Sequence, residues 1–483
     1  MKKILSLLTI GLLLFSSTSC DERLANLNID PDNSPTASDA QVLTSALGYM
    51  SYIQDVELNL YSMIFAQYYT AGIGVSLSDQ ERYFEAPEDH NNYWIRSYSQ
   101  ALQDLKFLTK SENKSYAAAG NVLTAYMFQG LVDHFGSVPY SEALSGEISD
   151  GGILVPSFDD PAVIYADLVR RLDSAIETFE TGSTSMGGDD LIYGGDAAKW
   201  LKFANSLKLR ILMRTSETAA NADAIKALIA SGSFIETQAD LAKVDFSGTP
   251  GNQNPMWARM TFGVGDYYFA SNATINQLNT LEDPRIGAFY KRASVGSFSG
   301  QFRGINQGTI ENEPFTANTN EYSKSNTVAV APDNSVFFMS PWEVWFLRAE
   351  AAVRYGTSDN AGTAFANAIN TNFAFLGVDG ASSYVASLGF NGLASNDDKI
   401  DAIGLQKWIS LNGTQEDEGW IETRRFDRPS SRLFTQEILQ TPPLSVLPDN
   451  VHPASWLYPQ NERSLNSKAA PQRVITDKIF WDN

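Results

Sequence analysis

The chain has 483 residues, and its 35 basic and 56 acidic side chains give a formal net charge of −21. This acidity argues against nucleic acid or an anionic lipid surface as the main partner, because phosphate groups require clustered Lys and Arg. One cysteine and three histidines exclude a disulfide scaffold, a cysteine-rich zinc site and an iron–sulfur cluster. The length allows about three domains of ordinary size, or one large helical domain.

The first residues have the pattern of a bacterial lipoprotein export signal. Lys2 and Lys3 precede an apolar stretch over 4–15, which is too short to span a bilayer core of about 30 Å. Small polar residues then lead to Cys20, the single cysteine of the chain. We therefore expect residues 1–19 to be removed as a signal peptide and Cys20 to carry a lipid anchor.

The segment after Cys20 predicts a tether rather than a folded element. Residues 20–39 are polar and contain Pro31 and Pro35, so they cannot bury much apolar surface. We expect a single folded domain over 40–483 after this tether.

Most of that domain has the periodicity of helices. Asp160-Pro161 and Asp196 have the sequence of helix N-caps, and apolar residues follow each of them at helical spacing. The predicted helices cover 40–70, 92–110, 115–135, 160–180, 196–214, 341–355, 360–372, 397–411 and 415–426. The aromatic stripes of these helices are interpreted as core.

Two stretches lack this periodicity. Residues 236–338 are rich in Gly, Asn, Ser, Thr and aromatic residues, and residues 427–483 are rich in proline over most of their length. Both predict long loops with short strands, which pack on a helical scaffold formed by 40–235 and 339–426. The predicted fold class is therefore mainly α, with long irregular inserts.

Sequence motifs of enzymes are not found. The chain has no Gly-x-Ser-x-Gly, phosphate-binding loop or His-Glu-x-x-His pattern, and His90, His134 and His452 lie in separate segments. The acidic run 416–418 precedes Arg424 and is interpreted as a source of structural salt bridges. We predict no cofactor and no metal, although a pair of carboxylates for glycoside hydrolysis remains open.

Short motifs spread along the chain resemble those of the SusD/RagB family of outer-membrane lipoproteins, in particular its SusD-like second branch. They occur at Asp30-Pro31, 134–140, 190–196, 199–210, Asn254-Pro255, 283–285, 349–351, 406–408, 418–420, Arg424-Arg425 and 457–459.

The resemblance implies a non-enzymatic receptor on the cell surface. Members of the family have a scaffold of tetratricopeptide-like helix pairs, and their irregular inserts form the ligand face. They capture oligosaccharides or polysaccharides for a SusC-like, TonB-dependent barrel in the outer membrane. Two alternatives stay open: a receptor of the same family that captures peptides or another nutrient, and a surface glycoside hydrolase.

Ligand residues are predicted from the chemistry of sugars, which offer flat C–H faces and a rim of hydroxyl groups. Exposed aromatic rings beside polar side chains suit such ligands, and the loops 79–94 and 256–306 have this mixture. The candidates are Asp79, Gln80, Tyr83, Phe84, Trp257, Asp266, Tyr267, Tyr268, Tyr290 and Arg303. The competing interpretation is that these aromatic rings fill a small core beneath the loops. Trp94 shares a helical face with apolar residues and is interpreted as core. The negative charge of the chain favours a neutral glycan.

Overall fold

The structure, a computed structural model, describes residues 37–71, 78–218, 221–261, 268–309, 319–326 and 330–482. The predicted signal peptide, Cys20 and most of the predicted tether lie outside the described residues. The same holds for two predicted ligand residues, Asp266 and Tyr267.

The amino-terminal half is built mainly from helices. They are α1 Asp39–Tyr52, α2 Leu60–Phe65, α3 Ser78–Glu81, α4 Asn91–Arg96, α5 Leu102–Thr109, α6 Lys114–Phe135, α7 Pro161–Phe179, α8 Ala197–Arg214 and α9 Ala222–Ser231. Two π-helical segments, Ile53–Asn59 and Ser97–Ala101, connect α1 to α2 and α4 to α5.

The carboxy-terminal half continues in the same way. Its helices are α10 Pro255–Thr261, α11 Asn272–Thr280, α12 Ile286–Phe289, α13 Pro341–Tyr355, α14 Ala361–Leu376, α15 Ala381–Ser387, α16 Asn396–Leu411, α17 Glu416–Phe426 and α18 Gln460–Leu465. A π-helical segment also covers Leu433–Ile438.

Three small antiparallel sheets accompany the helices. Their strands are β1 Tyr69–Ala71, β2 Val138–Pro139, β3 Phe158–Asp159, β4 Ala242–Val244, β5 Tyr268–Ala270 and β6 Val336–Met339. β1 pairs with β5, β2 with β3, and β4 with β6. Each sheet has two strands, so the core comes from helices.

The predicted N-caps form as expected. The Asp160 side chain accepts hydrogen bonds from the backbone N–H groups of Ala162 and Val163, and Pro161 begins α7. Asp196 caps α8 in the same way through Ala198 and Lys199. These bonds satisfy backbone donors that have no partner within the first helical turn, which explains why both helices begin where the sequence predicts.

Neighbouring helices pack in pairs. α6 contacts α7, α7 contacts α8, and α13 contacts both α14 and α16. Phe179 of α7 stacks on Trp200 of α8 with 5.7 Å between the ring centroids, and the Trp200 side chain is fully buried. The predicted mainly α scaffold is confirmed.

A buried ionic cluster joins α8, α13 and α17. Arg214 lies 2.6 Å from Glu418 and 2.5 Å from Glu422. Arg425 lies 2.6 Å from both Glu350 and Glu422. The acidic run and the arginines of α17 therefore hold the scaffold together, which agrees with the predicted structural role.

The expectation for the two irregular stretches needs a correction. Residues 236–338 and 427–483 contain short helices as well as loops and strands, namely α10, α11, α12 and α18. These helices are too short to show a long apolar stripe, so hydrophobic periodicity cannot reveal them.

Candidate functional site

One small sheet links the two stretches predicted to carry the ligand site, since 79–94 follows β1 and 256–306 contains β5. β1 and β5 pair antiparallel, with Tyr69 opposite Ala270 and Ala71 opposite Tyr268. In an antiparallel pair, the chain that leaves one strand lies beside the chain that enters the other. The loop 79–94 follows β1, and α10 precedes β5, so the fold brings the predicted loops to one end of the sheet.

A buried acid fixes the first of these loops against the sheet. The Glu81 carboxylate accepts a hydrogen bond from the backbone N–H of Ala71 at 2.5 Å and another from the Thr70 hydroxyl. The side-chain amide of Gln307 donates to the same oxygen at 3.2 Å. Helix α3 is thereby held directly beside β1.

We give the name aromatic face to three half-buried aromatic residues, Tyr61, Trp257 and Tyr268, of which Tyr61 and Tyr268 are neighbours. Burial raises the pKa of Tyr268, and the neighbouring Tyr61 hydroxyl raises it further, whereas the positive charge of Arg259 lowers it. Burial also raises the pKa of Tyr61 to about 12, and Arg259 again opposes the shift. Arg259, two residues after Trp257 on α10, is therefore close enough to both phenol groups to act on them.

Charged side chains lie beside the aromatic face. Arg96 donates to the Glu57 carboxylate at 3.0 Å, and its guanidinium carbon lies 4.7 Å from the centre of the Tyr52 ring. Burial raises the pKa of Glu57, and Arg96 counteracts this effect. Arg96 and Arg259 supply donors of the kind that sugar hydroxyl groups use, and the buried Glu57 carboxylate holds Arg96 in place.

Asn254 sets the position of helix α10. Its side-chain nitrogen donates a hydrogen bond to the Asp55 carboxylate at 2.7 Å. Its side-chain oxygen, Oδ1, accepts a hydrogen bond from the backbone N–H of Trp257 at 2.8 Å. Burial raises the pKa of Asp55 to about 7, and the hydrogen bond from Asn254 counteracts this shift. The placement of Trp257 thus depends on the π-helical segment that contains Asp55.

The structure corrects two expectations in the loop 79–94. Tyr83 is 1% exposed, and its hydroxyl lies 2.8 Å from Nδ1 of His452. Gln80 is also buried and donates to Asp89 at 3.2 Å. Neither side chain offers an accessible surface, because Tyr83 packs inward on the carboxy-terminal segment and Gln80 bonds to Asp89 of its own loop.

The other candidates in this loop are accessible. Phe84 is 47% exposed, so the ring of this candidate is accessible. Asp79 is half-buried and forms an ion pair with Arg82.

The candidates in 256–306 also divide into accessible and buried residues. Tyr290 is buried, because its hydroxyl donates to the Tyr68 carbonyl at 2.8 Å and accepts from Asn412 at 3.0 Å. The expectation that it faces a ligand is corrected accordingly. The Arg303 guanidinium carbon lies 4.0 Å from the Phe298 ring centre and 4.2 Å from that of Tyr322. This arrangement holds Arg303 between two rings beside β5.

Trp94 belongs to the core, as the sequence predicts. Its side chain is buried, and its ring meets those of Tyr98 and Phe135 at 5.0 and 5.1 Å between centroids.

Sequence reasoning missed Tyr61 and Arg259. Tyr61 lies just after the π-helical segment Ile53–Asn59, which shifts the helical phase and hides which side chains face outward. The Asn254-Pro255 motif was a signal for Arg259, since it marks the start of the short helix that carries this residue.

Neither a metal site nor a membrane span is found among the described residues. No group of three or more His, Cys, Asp and Glu side chains in this part of the chain could hold a metal ion. Every helix in it is too short or too polar to cross a membrane.

A family comparison identifies the class of protein. The profile of a SusD-like family, described as starch-binding associating with outer membrane, matches residues 31–448. The chain belongs to this SusD-like family. The search of curated proteins found no match.

Solved structures show the same fold. A SusD homologue from Bacteroides uniformis is 20% identical, with 92% of this chain and 99% of that chain covered and a TM-score of 0.72. A SusD homologue from Bacteroides vulgatus is 21% identical, with coverages of 92% and 97% and a TM-score of 0.74. A chitin-binding SusD homologue from Flavobacterium johnsoniae is 20% identical, with coverages of 91% and 98% and a TM-score of 0.74.

Proposed function

We propose that this protein is a cell-surface lipoprotein that captures a glycan and delivers it to a SusC-like, TonB-dependent transporter in the outer membrane. Membership of the SusD-like family supports this proposal. The lipoprotein signal that ends at Cys20 supports attachment to the outer membrane through acyl chains.

The observation that carries the proposal is the pairing of β1 with β5. It sets Tyr268 opposite Ala71, at the end of the sheet where β1 ends and β5 begins, close to Tyr61 and Arg259. Half-buried rings held by a core provide rigid, flat apolar surfaces for the C–H faces of sugars. The neighbouring Arg96 and Arg259 then donate hydrogen bonds to hydroxyl groups and fix the orientation of the ring.

The ligand that we propose is a neutral glycan. The chain is strongly acidic, which disfavours sulfated or uronate polymers through long-range repulsion. One structural relative, from Flavobacterium johnsoniae, is described as chitin-binding, and chitin is a neutral polymer.

Incubation of the mature protein with insoluble neutral polysaccharides tests the proposal. We expect the protein to sediment with at least one glycan while no shortened sugar appears in the supernatant. Release of shortened sugars would identify a glycoside hydrolase. Retention on immobilised peptides alone would identify a peptide receptor of the same family.

A further inference from the structure

The loop 144–156, between β2 and β3, carries large apolar side chains on its outside. Ile148 is 96% exposed and Leu154 is 81% exposed. Apolar residues that are scattered singly over a surface need no explanation, whereas a group of them marks an interaction site. These two side chains lie on one loop, and neither belongs to the aromatic face.

The backbone of this loop is closed by its own hydrogen bonds. The N–H of Ile153 donates to the carbonyl of Ser145 at 2.7 Å, and the N–H of Gly152 donates to the carbonyl of Glu147 at 2.8 Å. The two apolar side chains stay outside the turn that these bonds form. Their exposure is therefore a feature of a folded loop.

Two lysines of α5 fasten the loop to the scaffold. Lys106 lies 2.6 Å and Lys110 lies 2.8 Å from the carboxylate oxygens of Asp150. Lys106 also donates to the backbone carbonyl of Leu144. Phe107, 46% exposed, lies one turn before Lys110 on the same helix, so its ring belongs to the same surface.

The folded domain starts beside this surface. Ser111, which follows Lys110 in the chain, donates to the Asp39 carboxylate at 2.6 Å, and α1 begins at Asp39. Residues 21–38 alone separate this point from Cys20, which we propose carries the lipid. For a predicted tether of this length, random-coil scaling gives an end-to-end distance of about 20–25 Å. The folded domain has a radius of gyration of about 22 Å by its length, so the side at which α1 starts is the side that the tether holds nearest to the lipid.

Charge does not oppose contact with lipid at this place. The chain as a whole is strongly acidic. Within 144–156 the acidic residues are Glu147 and Asp150, and the lysine partners Lys106 and Lys110 match their charge. The loop and its two partners thus have no net charge, and a neutral lipid surface meets no long-range repulsion there.

We infer that the loop 144–156, with Phe107 beside it, is a membrane-contact surface, and that Ile148 and Leu154 enter the lipid layer that holds the acyl chains of Cys20. This inference rests on the lipid anchor that we propose for the protein. Interfacial binding grows with the apolar area that is buried, so the loop adds to the attachment through the acyl chains. It also fixes which side of the domain faces the membrane.

An environment-sensitive fluorophore at position 148 tests the inference. The proposed acyl chain blocks the thiol of Cys20, the only cysteine of the chain, so the mature acylated Ile148→Cys variant has one free thiol for labelling. The labelled protein is reconstituted with phosphatidylcholine vesicles that contain no other protein and is recovered by flotation. We expect its emission to shift to shorter wavelength, and we expect lipids with a nitroxide on their acyl chains to quench it.

Val474→Cys is the matched control, because Val474 is also exposed but lies at the other end of α6. Its neighbour Arg473 reaches Gly136, which ends this helix, whereas Ser111 lies just before its start. α6 has 22 residues and is therefore about 33 Å long. A fluorophore at position 474 is expected to show neither the shift nor the quenching.

A second substitution tests the apolar character of the loop. Leu154→Asp in the Ile148→Cys protein should reduce the quenching, because a carboxylate is costly to bring into lipid. Flotation reports the anchor independently of the loop. Flotation without a spectral shift would overturn the inference and leave the proposed anchor standing, whereas absence of flotation would overturn both.

Three further outcomes would also overturn the inference. The first is quenching at position 474 as strong as that at position 148. The second is quenching at position 148 that Leu154→Asp leaves unchanged. The third is a shift that grows with the number of protein copies per vesicle and that nitroxide lipids do not quench, which would identify contact between copies of this chain.

Discussion

The side-chain amide of Asn254 donates a hydrogen bond to the carboxylate of Asp55 over 2.7 Å, and this bond ties helix α10 to the π-helical segment Ile53–Asn59. The same side chain accepts the backbone N–H of Trp257. One buried amide therefore connects the helical scaffold to Trp257, so this residue of the aromatic face is held by the core rather than by its own loop.

Asn254→Ala is expected to lower the free energy of unfolding by about 1–3 kcal/mol, because it removes one of the donors of the buried Asp55 carboxyl group and leaves only Asn59 as its side-chain donor. It should also weaken glycan binding, since α10 loses its connection to the scaffold. Urea unfolding and calorimetry measure the two effects. Asn252→Ala, two residues earlier and exposed, is the control. If Asn254→Ala and Asn252→Ala have the same free energy of unfolding and the same glycan affinity, Asn254 does not position α10.

The buried ionic cluster predicts a large difference between two arginines. Arg214→Met removes a positive charge that pairs with the buried Glu418 and Glu422 carboxylates. We therefore expect a loss of about 3–5 kcal/mol in the free energy of unfolding. Arg170 pairs with Asp167 on the surface with 74% of its side chain exposed, so Arg170→Met should cost less than about 1 kcal/mol. If chemical denaturation shows that Arg214→Met and Arg170→Met lower the free energy of unfolding by similar amounts, the buried ionic cluster does not stabilise the scaffold.

Glu416 predicts a pH-dependent stability. Burial raises its pKa from 4.5 to about 8, and the neighbouring Asp55 and Asp417 carboxylates add to the shift. The folded protein therefore keeps a proton that the unfolded chain loses above pH 4.5. The stability linked to this group is fully present below that pH and is lost as the pH rises towards about 8.

Glu416→Gln removes this titration. The free energy of unfolding of both proteins is measured in urea from acidic to mildly alkaline pH. As the pH rises, the value for Glu416→Gln should increase relative to that of the parent protein. Glu177→Gln, at an exposed position of α7, should follow the parent at every pH. A constant difference between Glu416→Gln and the parent would refute the raised pKa.

The proposed lipid anchor predicts the location of the protein. Cys20→Ala removes the thiol that we propose carries the acyl chains, so the variant should lose labelling by radioactive palmitate and leave the outer-membrane fraction. The Asp21→Asn variant, which keeps Cys20, should still be labelled. Membrane retention of Cys20→Ala at the parent level would count against the anchor.

The scaffold was more predictable than the site, and the reasons are physical. α7 and α8 combine an N-cap with a regular apolar stripe, so both their start and their buried face can be inferred from sequence. The interior of a helix follows one period over many residues, and this repetition makes the pattern robust.

The site residues lack such a period. Two adjacent aromatic residues show that one ring is awkward to bury, but they do not show which one. Tyr83 adopts a left-handed backbone conformation with φ of 60°, and its ring is buried while that of Phe84 is exposed. Tyr290 is buried because Tyr68 and Asn412, both distant in sequence, provide partners for its hydroxyl. Contacts of this kind are set by the tertiary fold and leave no local signal.

Calorimetry with a neutral oligosaccharide, chosen from the polysaccharide that retains the protein, tests the aromatic face most directly. Trp257→Ala and Tyr268→Ala should each lower the free energy of binding by about 1–3 kcal/mol, with circular dichroism unchanged. Phe107→Ala removes an exposed ring of α5 outside the face and should bind like the parent protein. If Trp257→Ala and Tyr268→Ala both fold and bind with the affinity of the parent, the aromatic face does not hold the glycan.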